Sequence, residues 1–116
     1  MTMRVLFCFG NNQNFFDLPK AEIGPVWEAT QQLLTQISKT EGINVIGTFD
    51  DDSFMVGPSS TWPWTFYVMA DAESADAVKA ACNLLRTIQV GEHALWRYFK
   101  VEARMGRELT IRDDVN

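Results

Sequence analysis

Charged and aromatic side chains recur at two-residue intervals near the carboxyl end of the chain, at Trp96, Tyr98, Lys100, Glu102 and Arg104. Residues two apart in a β-strand point to the same face of the sheet. The spacing therefore predicts a strand face that carries two rings and charges of both signs. Such rings stack on a flat ligand, and an arginine binds a carboxylate through paired hydrogen bonds. This pattern favours a small aromatic acid as the ligand.

Six side chains are candidates for binding such an acid, and three are candidates for moving a proton. The candidate substrate-binding residues are Arg4, Tyr67, Trp96, Tyr98, Arg104 and Trp62. The candidate catalytic residues are Glu102, Asp71 and His93. Arg4 and Arg104 form a carboxylate clamp if the first and last strands are neighbours in the sheet.

Each candidate also has a purely structural interpretation. The charged side chains can form cross-strand ion pairs that line an interface. His93 is the only histidine, and its ordinary pKa lies near neutrality, but its position in a turn beside Gly91 favours a solvated side chain. Trp62 either covers the mouth of a pocket or packs in the interior.

The sequence contains no motif for a metal, a nucleotide or covalent catalysis. Cys8 and Cys82 have neither the CxxC nor the Cys/His spacing of a zinc site, and they are typical of buried free thiols. The acidic run Asp50–Asp52 lacks the pattern of a calcium loop and suits a turn. There is no glycine-rich phosphate loop. The sequence therefore predicts a protein with no metal and no cofactor.

Composition places the chain among single globular domains. Its 116 residues are 47% hydrophobic, which is enough to form one core across residues 1–116. A net charge of −5 argues against binding nucleic acid, which requires positive charge along the phosphates. The sequence shows no signal-peptide pattern and no apolar run long enough to span a membrane. We therefore expect no membrane association and a cytoplasmic location.

Apolar periodicity predicts four strands and two helices in the order β, α, β, β, α, β. The predicted strands are Met3–Phe9, Ile43–Phe49, Trp64–Ala70 and Leu95–Met105. The first helix begins near Gly24 with Pro25 in its first turn, or in an earlier kinked turn, and it stops at Gly42. The second helix follows a Ser74 cap.

This order predicts a ferredoxin-like α+β fold, in which a four-stranded antiparallel sheet carries both helices on one face. Strict alternation puts Gly47 and Phe49 under the helices and Thr48 on the opposite face. Trp27 is expected to pack in the core. The opposite face mixes rings, aliphatic side chains and charges, so we expect it to be buried against a second subunit, a ligand or both. The predicted partner is a second copy of the chain in a homodimer.

Three stretches carry a family resemblance: Gly47–Asp52, Trp62–Tyr67 and Trp96–Arg107. They are similar to the small IacB-like proteins found with indole-3-acetate degradation enzymes, and the whole chain resembles the dimeric α+β barrel superfamily. The resemblance implies a homodimer whose sheets face each other. It also implies an enzyme or auxiliary enzyme of aromatic catabolism, such as a cofactor-independent monooxygenase, isomerase or dehydratase. The alternative is a non-catalytic ligand-binding or scaffold subunit of such a pathway.

Overall fold

The computed structural model describes residues 2–53, 55–57 and 64–109. Its strands are β1 (Met3–Asn11), β2 (Ile43–Asp50), β3 (Phe66–Ala72), β4 (Gln89–Val90), β5 (His93–Ala94) and β6 (Phe99–Gly106). Its helices are α1 (Gln13–Phe16), α2 (Ile23–Lys39) and α3 (Ala75–Thr87). Two 3-10 turns cover Lys20–Glu22 and Leu95–Arg97.

The main sheet has the strand order β2-β3-β1-β6, and each neighbouring pair is antiparallel. The two central strands are therefore the first and third long strands, with β2 and β6 at the edges. This is the order that two interleaved βαβ halves produce. The predicted ferredoxin-like α+β fold is confirmed, and β4 and β5 add a short hairpin before the last edge strand.

The core lies between the sheet and the two long helices. Alternate residues of β1, Val5, Phe7 and Phe9, are fully buried, as a strand with one covered face requires. The helices contribute buried aliphatic side chains at helical spacing: Val26, Leu33 and Ile37 from α2, and Val78, Ala81 and Leu85 from α3. The other sheet face points away from α2 and α3, and we call it the open face.

The helix boundaries follow the local sequence signals. Pro25 lies in the first turn of α2, where its missing N–H removes no helical hydrogen bond. Gly42 follows the helix with a φ of +82°, a conformation that other residues adopt at a cost. The Ser74 hydroxyl accepts a hydrogen bond of 3.1 Å from the Ala77 N–H. The predicted start of α2 near Gly24 and the Ser74 cap are both confirmed.

A β-bulge in β2 contradicts the predicted alternation. The register against β3 shifts between Val45 and Gly47, because Ile46 is an extra residue on one strand of the pair. Beyond the bulge, Thr48 lies opposite the core residue Val68. The prediction that Gly47 and Phe49 lie under the helices and Thr48 on the open face is therefore wrong.

The last strand begins later than predicted. Residues Leu95–Arg97 form a 3-10 turn, and β6 starts at Phe99. A 3-10 turn has three residues per turn, so the two-residue alternation does not extend back through it. The prediction that Trp96 and Tyr98 continue the strand face of Lys100 is wrong. The alternation holds within β6 itself, where Phe99 is buried and Lys100 is exposed.

Candidate functional site

The structure distributes the sequence-predicted site residues over four separate places. Arg4, Arg104, Asp71 and Glu102 lie on the open face. Tyr67 shares the open face, as the register partner of Cys8, and also lines a cleft beside α2. Trp96 lines a cleft beside α3. Tyr98 and His93 line a third cleft. Trp62 lies outside the described residues.

The two arginines of the predicted clamp line one cleft of about 260 Å³ on the open face. Both are already paired with carboxylates. The Arg4 Nε donates to Asp71 Oδ1 at 2.8 Å, and the Arg104 Nε donates to Glu102 Oε2 at 2.9 Å. The hydrogen bond that Arg4 donates to Asp71 raises the pKa of Arg4. The Arg4–Asp71 pair joins neighbouring strands, whereas the Arg104–Glu102 pair lies within β6. An acid bound here would therefore compete with a carboxylate of the protein for each guanidinium.

Tyr98 and His93 do not contribute to the open face. Tyr98 is buried in the core, and it is the residue directly after the 3-10 turn Leu95–Arg97 rather than part of a strand. His93 is exposed in the β4–β5 hairpin. The two residues line a cleft of about 350 Å³ with Glu22 and Pro25 at the start of α2. His93 is therefore separated from Glu102 and Asp71, and the three predicted proton-transfer residues do not share a cleft.

The two cysteines have environments that disfavour the thiolate. Cys8 is buried on the open face between its register partners Tyr67 and Glu102. Burial is the main cause that raises its pKa, and the charge of Glu102 raises it further. Burial also raises the pKa of the half-buried Cys82. Both side chains are therefore mostly thiols near neutral pH, and they react slowly with alkylating reagents.

A cleft at the β2 edge of the sheet has the strongest aromatic character. It lies between α2 and the β2–β3 pair and has a volume of about 390 Å³; we call it the α2–β2 cleft. Its lining residues are Trp27, Thr30, Gln31, Leu34, Thr48, Phe49, Asp50, Asp52, Thr65, Phe66 and Tyr67. The four helical members recur at the three- and four-residue spacing of one helix face. A single face of α2 therefore forms one wall of this cleft.

Trp27 lies on this wall but is not among the site residues predicted from the sequence. It is expected in the core, but 44% of it is exposed, and that expectation is wrong. Its indole packs edge-on against Phe15 with the ring centroids 5.6 Å apart. The signal in the sequence is Gln31, a polar residue four positions after Trp27 on the same helix face, because a fully buried stripe seldom carries an unpaired glutamine.

Phe49 and Tyr67 also line this cleft, but the register beyond the bulge puts both of their rings on the open face. Phe49 is the register partner of Tyr67, and the rings stack with centroids 4.8 Å apart. The Tyr67 hydroxyl donates to Asp51 Oδ2 at 3.0 Å. Burial raises the pKa of Tyr67, and the hydrogen bond to Asp51 raises it further. Tyr67 is therefore a neutral phenol held in a fixed orientation.

A second cleft lies at the opposite edge of the sheet, between α3 and β6, with a volume of about 420 Å³; we call it the α3–β6 cleft. Its lining residues are Asn12, Cys82, Asn83, Leu85, Arg86, Trp96, Phe99, Lys100 and Val101. The Arg86 guanidinium carbon lies 5.1 Å from the centroid of the Trp96 ring. That distance is within the range of a cation–π interaction.

The described residues show neither a metal-ligand cluster nor a membrane-spanning helix. No three histidine, cysteine, aspartate or glutamate side chains among them are grouped to hold a metal ion. None of the described helices combines the length and apolarity needed to cross a bilayer.

The sequence matches no family model and no curated protein. Among solved structures, two variants of chlorite dismutase from Candidatus Nitrospira defluvii match with TM-scores of 0.55 and 0.53, at 15% identity over 94% of this chain. This chain spans 41% of the length of each of them. A dimeric ferredoxin-like protein of unknown function from Thermobifida fusca has a TM-score of 0.40 and 15% identity, with 93% of this chain and 92% of that chain covered. The chlorite dismutase matches show the fold alone, and the resemblance to IacB-like proteins gains no support from the comparisons.

Proposed function

We propose that this chain binds a small, flat aromatic molecule in the α2–β2 cleft. The supporting observation is the indole of Trp27, which stays 44% exposed on a helix whose other large apolar side chains face the core. The cleft volume of about 390 Å³ falls in the range of roughly 300–1,000 Å³ that is usual for small-ligand sites. A ligand here would cover apolar surface that water otherwise contacts.

The interior of the cleft is apolar, with its polar groups at the sides. Phe66 and Leu34 are half-buried against the core cluster, and Phe66 is held by the stack with Phe9, whose ring centroid is 4.8 Å away. The Thr30 hydroxyl already donates to the Val26 carbonyl oxygen at 2.8 Å. The floor is therefore preformed and suits an aromatic ring, which needs shape and apolar contact more than hydrogen bonds.

Charge at the rim restricts the ligand further. Asp50 and Asp52 both line the α2–β2 cleft, and its lining contains no lysine or arginine among the described residues. A carboxylate placed there would meet like charge, whereas an amine or a neutral ring would not. The cleft therefore favours a cationic or neutral aromatic compound over the aromatic acid predicted from the sequence.

The arrangement favours binding without turnover, which is the alternative role expected for this chain. Glu102 and Asp71 are paired with arginines on the open face, and His93 lines a different cleft. The second candidate function is an enzyme of aromatic catabolism that has indole-3-acetate as its substrate. It rests on the family resemblance, which supplies the indole ring as the first probe.

Three indole compounds of similar size test the proposal: tryptamine, indole-3-ethanol and indole-3-acetate, which are cationic, neutral and anionic near pH 7. We expect the Trp27→Ala variant to bind tryptamine roughly tenfold more weakly than the unmodified chain, because the ligand loses its stacking partner. Isothermal titration calorimetry measures the dissociation constants. The matched control is Phe16→Ala, which removes an aromatic side chain that is 65% exposed and does not line the cleft.

The results separate the two roles. Saturable binding that Trp27→Ala weakens and Phe16→Ala does not weaken supports the site. If chromatography shows that the amount of ligand stays constant during a long incubation with the protein, the result supports binding without turnover. Loss of the ligand with formation of a product would make the chain an enzyme. Equal affinity in both variants would contradict the placement in the α2–β2 cleft.

The proposed partner is a second copy of the chain, seated on the open face. Leu6 and Met69 lie side by side on this face, and Phe49 beyond them is 55% exposed. The Arg4–Asp71 and Arg104–Glu102 pairs bring both signs of charge to the same face. A face that carries apolar side chains and charges of both signs is able to pack against its own copy across a twofold axis. A stable interface of this kind buries about 800 Å² of surface on each partner.

We expect Met69→Lys to weaken self-association by tenfold or more, because the interface would bury an uncompensated charge. Sedimentation equilibrium over a concentration series measures the dissociation constant of the dimer. The control is Gln32→Lys, which adds the same charge at an exposed position of α2. A monomer at every concentration of the unmodified chain, or a dimer that Met69→Lys leaves intact, would contradict an interface on the open face.

A further inference from the structure

The α3–β6 cleft carries charge of the opposite sign to the α2–β2 cleft. The two clefts occupy equivalent positions at the two edges of the sheet, each between a long helix and an edge strand. Asp50 and Asp52 line the first, whereas the charged side chain of Arg86 lines the second. The lining of the second cleft includes no carboxylate among the described residues. A single fold thus presents one acidic and one basic aromatic cleft.

The indole of Trp96 is held in place although 56% of it is exposed. It stands on the 3-10 turn Leu95–Arg97, whose first side chain, Leu95, is fully buried. The Asn12 amide nitrogen lies 3.4 Å from the carbonyl oxygens of Trp96 and Arg97, and it donates to both. The Asn14 amide donates to the Arg97 carbonyl at 3.1 Å. The ring therefore projects from an anchored backbone rather than a loose loop.

The guanidinium of Arg86 lies over this ring at 5.1 Å. When the indole contacts one face of the guanidinium, the N–H groups in its plane can still donate to a planar anion. Asn83 lies three residues earlier on the same helix and also lines the cleft, where its amide adds hydrogen-bonding capacity. The buried ring of Phe99 forms part of the apolar floor.

We propose that the α3–β6 cleft binds a planar aromatic carboxylate, whose ring lies on the Trp96 and Phe99 side and whose carboxylate accepts from Arg86. The site goes beyond the proposed function, because it is a second ligand site with the opposite charge preference. It needs no contribution from Trp27. It also gives the aromatic acid predicted from the sequence a different location from the Arg4 and Arg104 clamp.

The thiol of Cys82 makes the site directly observable. Cys82 lines the α3–β6 cleft and is half-buried, whereas Cys8 is buried on the open face. A ligand in the cleft would shield Cys82 from alkylation by iodoacetamide, and peptide mass spectrometry would report the rate at each cysteine. We expect indole-3-acetate at saturation to slow the alkylation of Cys82 several-fold, and indole-3-ethanol at the same concentration to have little effect.

Variants then test the role of the guanidinium. We expect Arg86→Gln to weaken indole-3-acetate binding by tenfold or more, since it removes a charged hydrogen-bond donor from the carboxylate. Arg97→Gln is the matched control. Arg97 is an exposed arginine at the end of the 3-10 turn that carries Trp96, and it does not line the cleft. We expect it to bind indole-3-acetate as the unmodified chain does.

The outcomes distinguish this inference from the proposed function. Indole-3-acetate binding that Arg86→Gln weakens and Trp27→Ala leaves unchanged supports the α3–β6 site, whatever tryptamine does. Binding that only Trp27→Ala weakens would overturn the inference and place the acid in the α2–β2 cleft. The inference would also be overturned if indole-3-acetate and indole-3-ethanol protected Cys82 from alkylation equally. It would be overturned as well if indole-3-acetate did not bind.

Discussion

The Phe9→Ala variant is expected to lose about 3–5 kcal/mol of its free energy of unfolding, the usual cost of truncating a buried phenylalanine. Phe9 is fully buried at the centre of the sheet. Its ring stacks on Phe66 at 4.8 Å with an interplanar angle of 12°, and on Phe7 at 6.4 Å. The alanine removes apolar contact and leaves a cavity that the two neighbouring strands cannot close without breaking their hydrogen bonds with β1.

Urea unfolding followed by circular dichroism measures this loss. The control is Phe16→Ala, the same substitution at a ring that is 65% exposed, for which we expect a change within about 0.5 kcal/mol. If Phe9→Ala is unfolded in the absence of urea, Phe9→Leu tests the same core with a smaller expected loss. A midpoint for Phe9→Leu equal to that of Phe16→Ala would contradict a close-packed core at this position.

The fold was predictable because its signals are local and repeated. The alternation in β1 marks Val5, Phe7 and Phe9 as core residues, and all three are fully buried. The helices follow the spacing of their apolar residues, and Ser74 supplies the hydroxyl that starts α3. Each of these signals depends on neighbouring residues of one segment, so the sequence carries it directly.

The candidate sites were less predictable, because each depends on a local irregularity that shifts side chains between faces. One extra residue at Ile46 puts Phe49 beside Tyr67. One 3-10 turn takes Trp96 away from the face of Lys100 and brings it under Arg86. A register change of one residue reverses the face of every later residue, so a correct list of strands still gives a wrong list of neighbours.

The clamp of Arg4 and Arg104 shows a second reason. The sequence predicts the two arginines on neighbouring strands, and the structure makes Arg104 the register partner of Leu6, with both arginines lining one cleft. Their partners, Asp71 and Glu102, are predicted from the sequence in two ways, as proton-transfer groups and as members of ion pairs. Residue types alone do not decide whether opposite charges bind each other or a ligand, because that choice depends on distances.

The Gly42→Ala variant is expected to lose about 2–5 kcal/mol of its free energy of unfolding, from two separate causes. Gly42 has a φ of +82°, where an alanine costs roughly 1–2 kcal/mol. A Cβ at this position would also lie 3.1 Å from the Cβ of Ala77 in the first turn of α3, and crowding of this kind typically costs about 1–3 kcal/mol. The turn has little room to move, because the Gly42 carbonyl oxygen accepts from the Glu73 N–H at 2.8 Å.

Two comparisons separate these causes in the same urea unfolding assay. Gly91→Ala has a φ of +60° but no described atom within 4 Å of the added Cβ, so it isolates the backbone cost. We expect Gly42→Ala to exceed it by about 1 kcal/mol or more. Combining Gly42→Ala with Ala77→Gly removes the crowding, and a double-mutant cycle then measures the coupling of the two positions. A favourable coupling of about 1 kcal/mol would show that α3 and the turn before β2 are packed as one rigid unit. Equal losses in Gly42→Ala and Gly91→Ala, with no coupling, would show that α3 moves to accommodate the added methyl group. Because the α3–β6 cleft is built on the far end of the same helix, a rigid α3 is also what holds Arg86 over Trp96 before any ligand arrives.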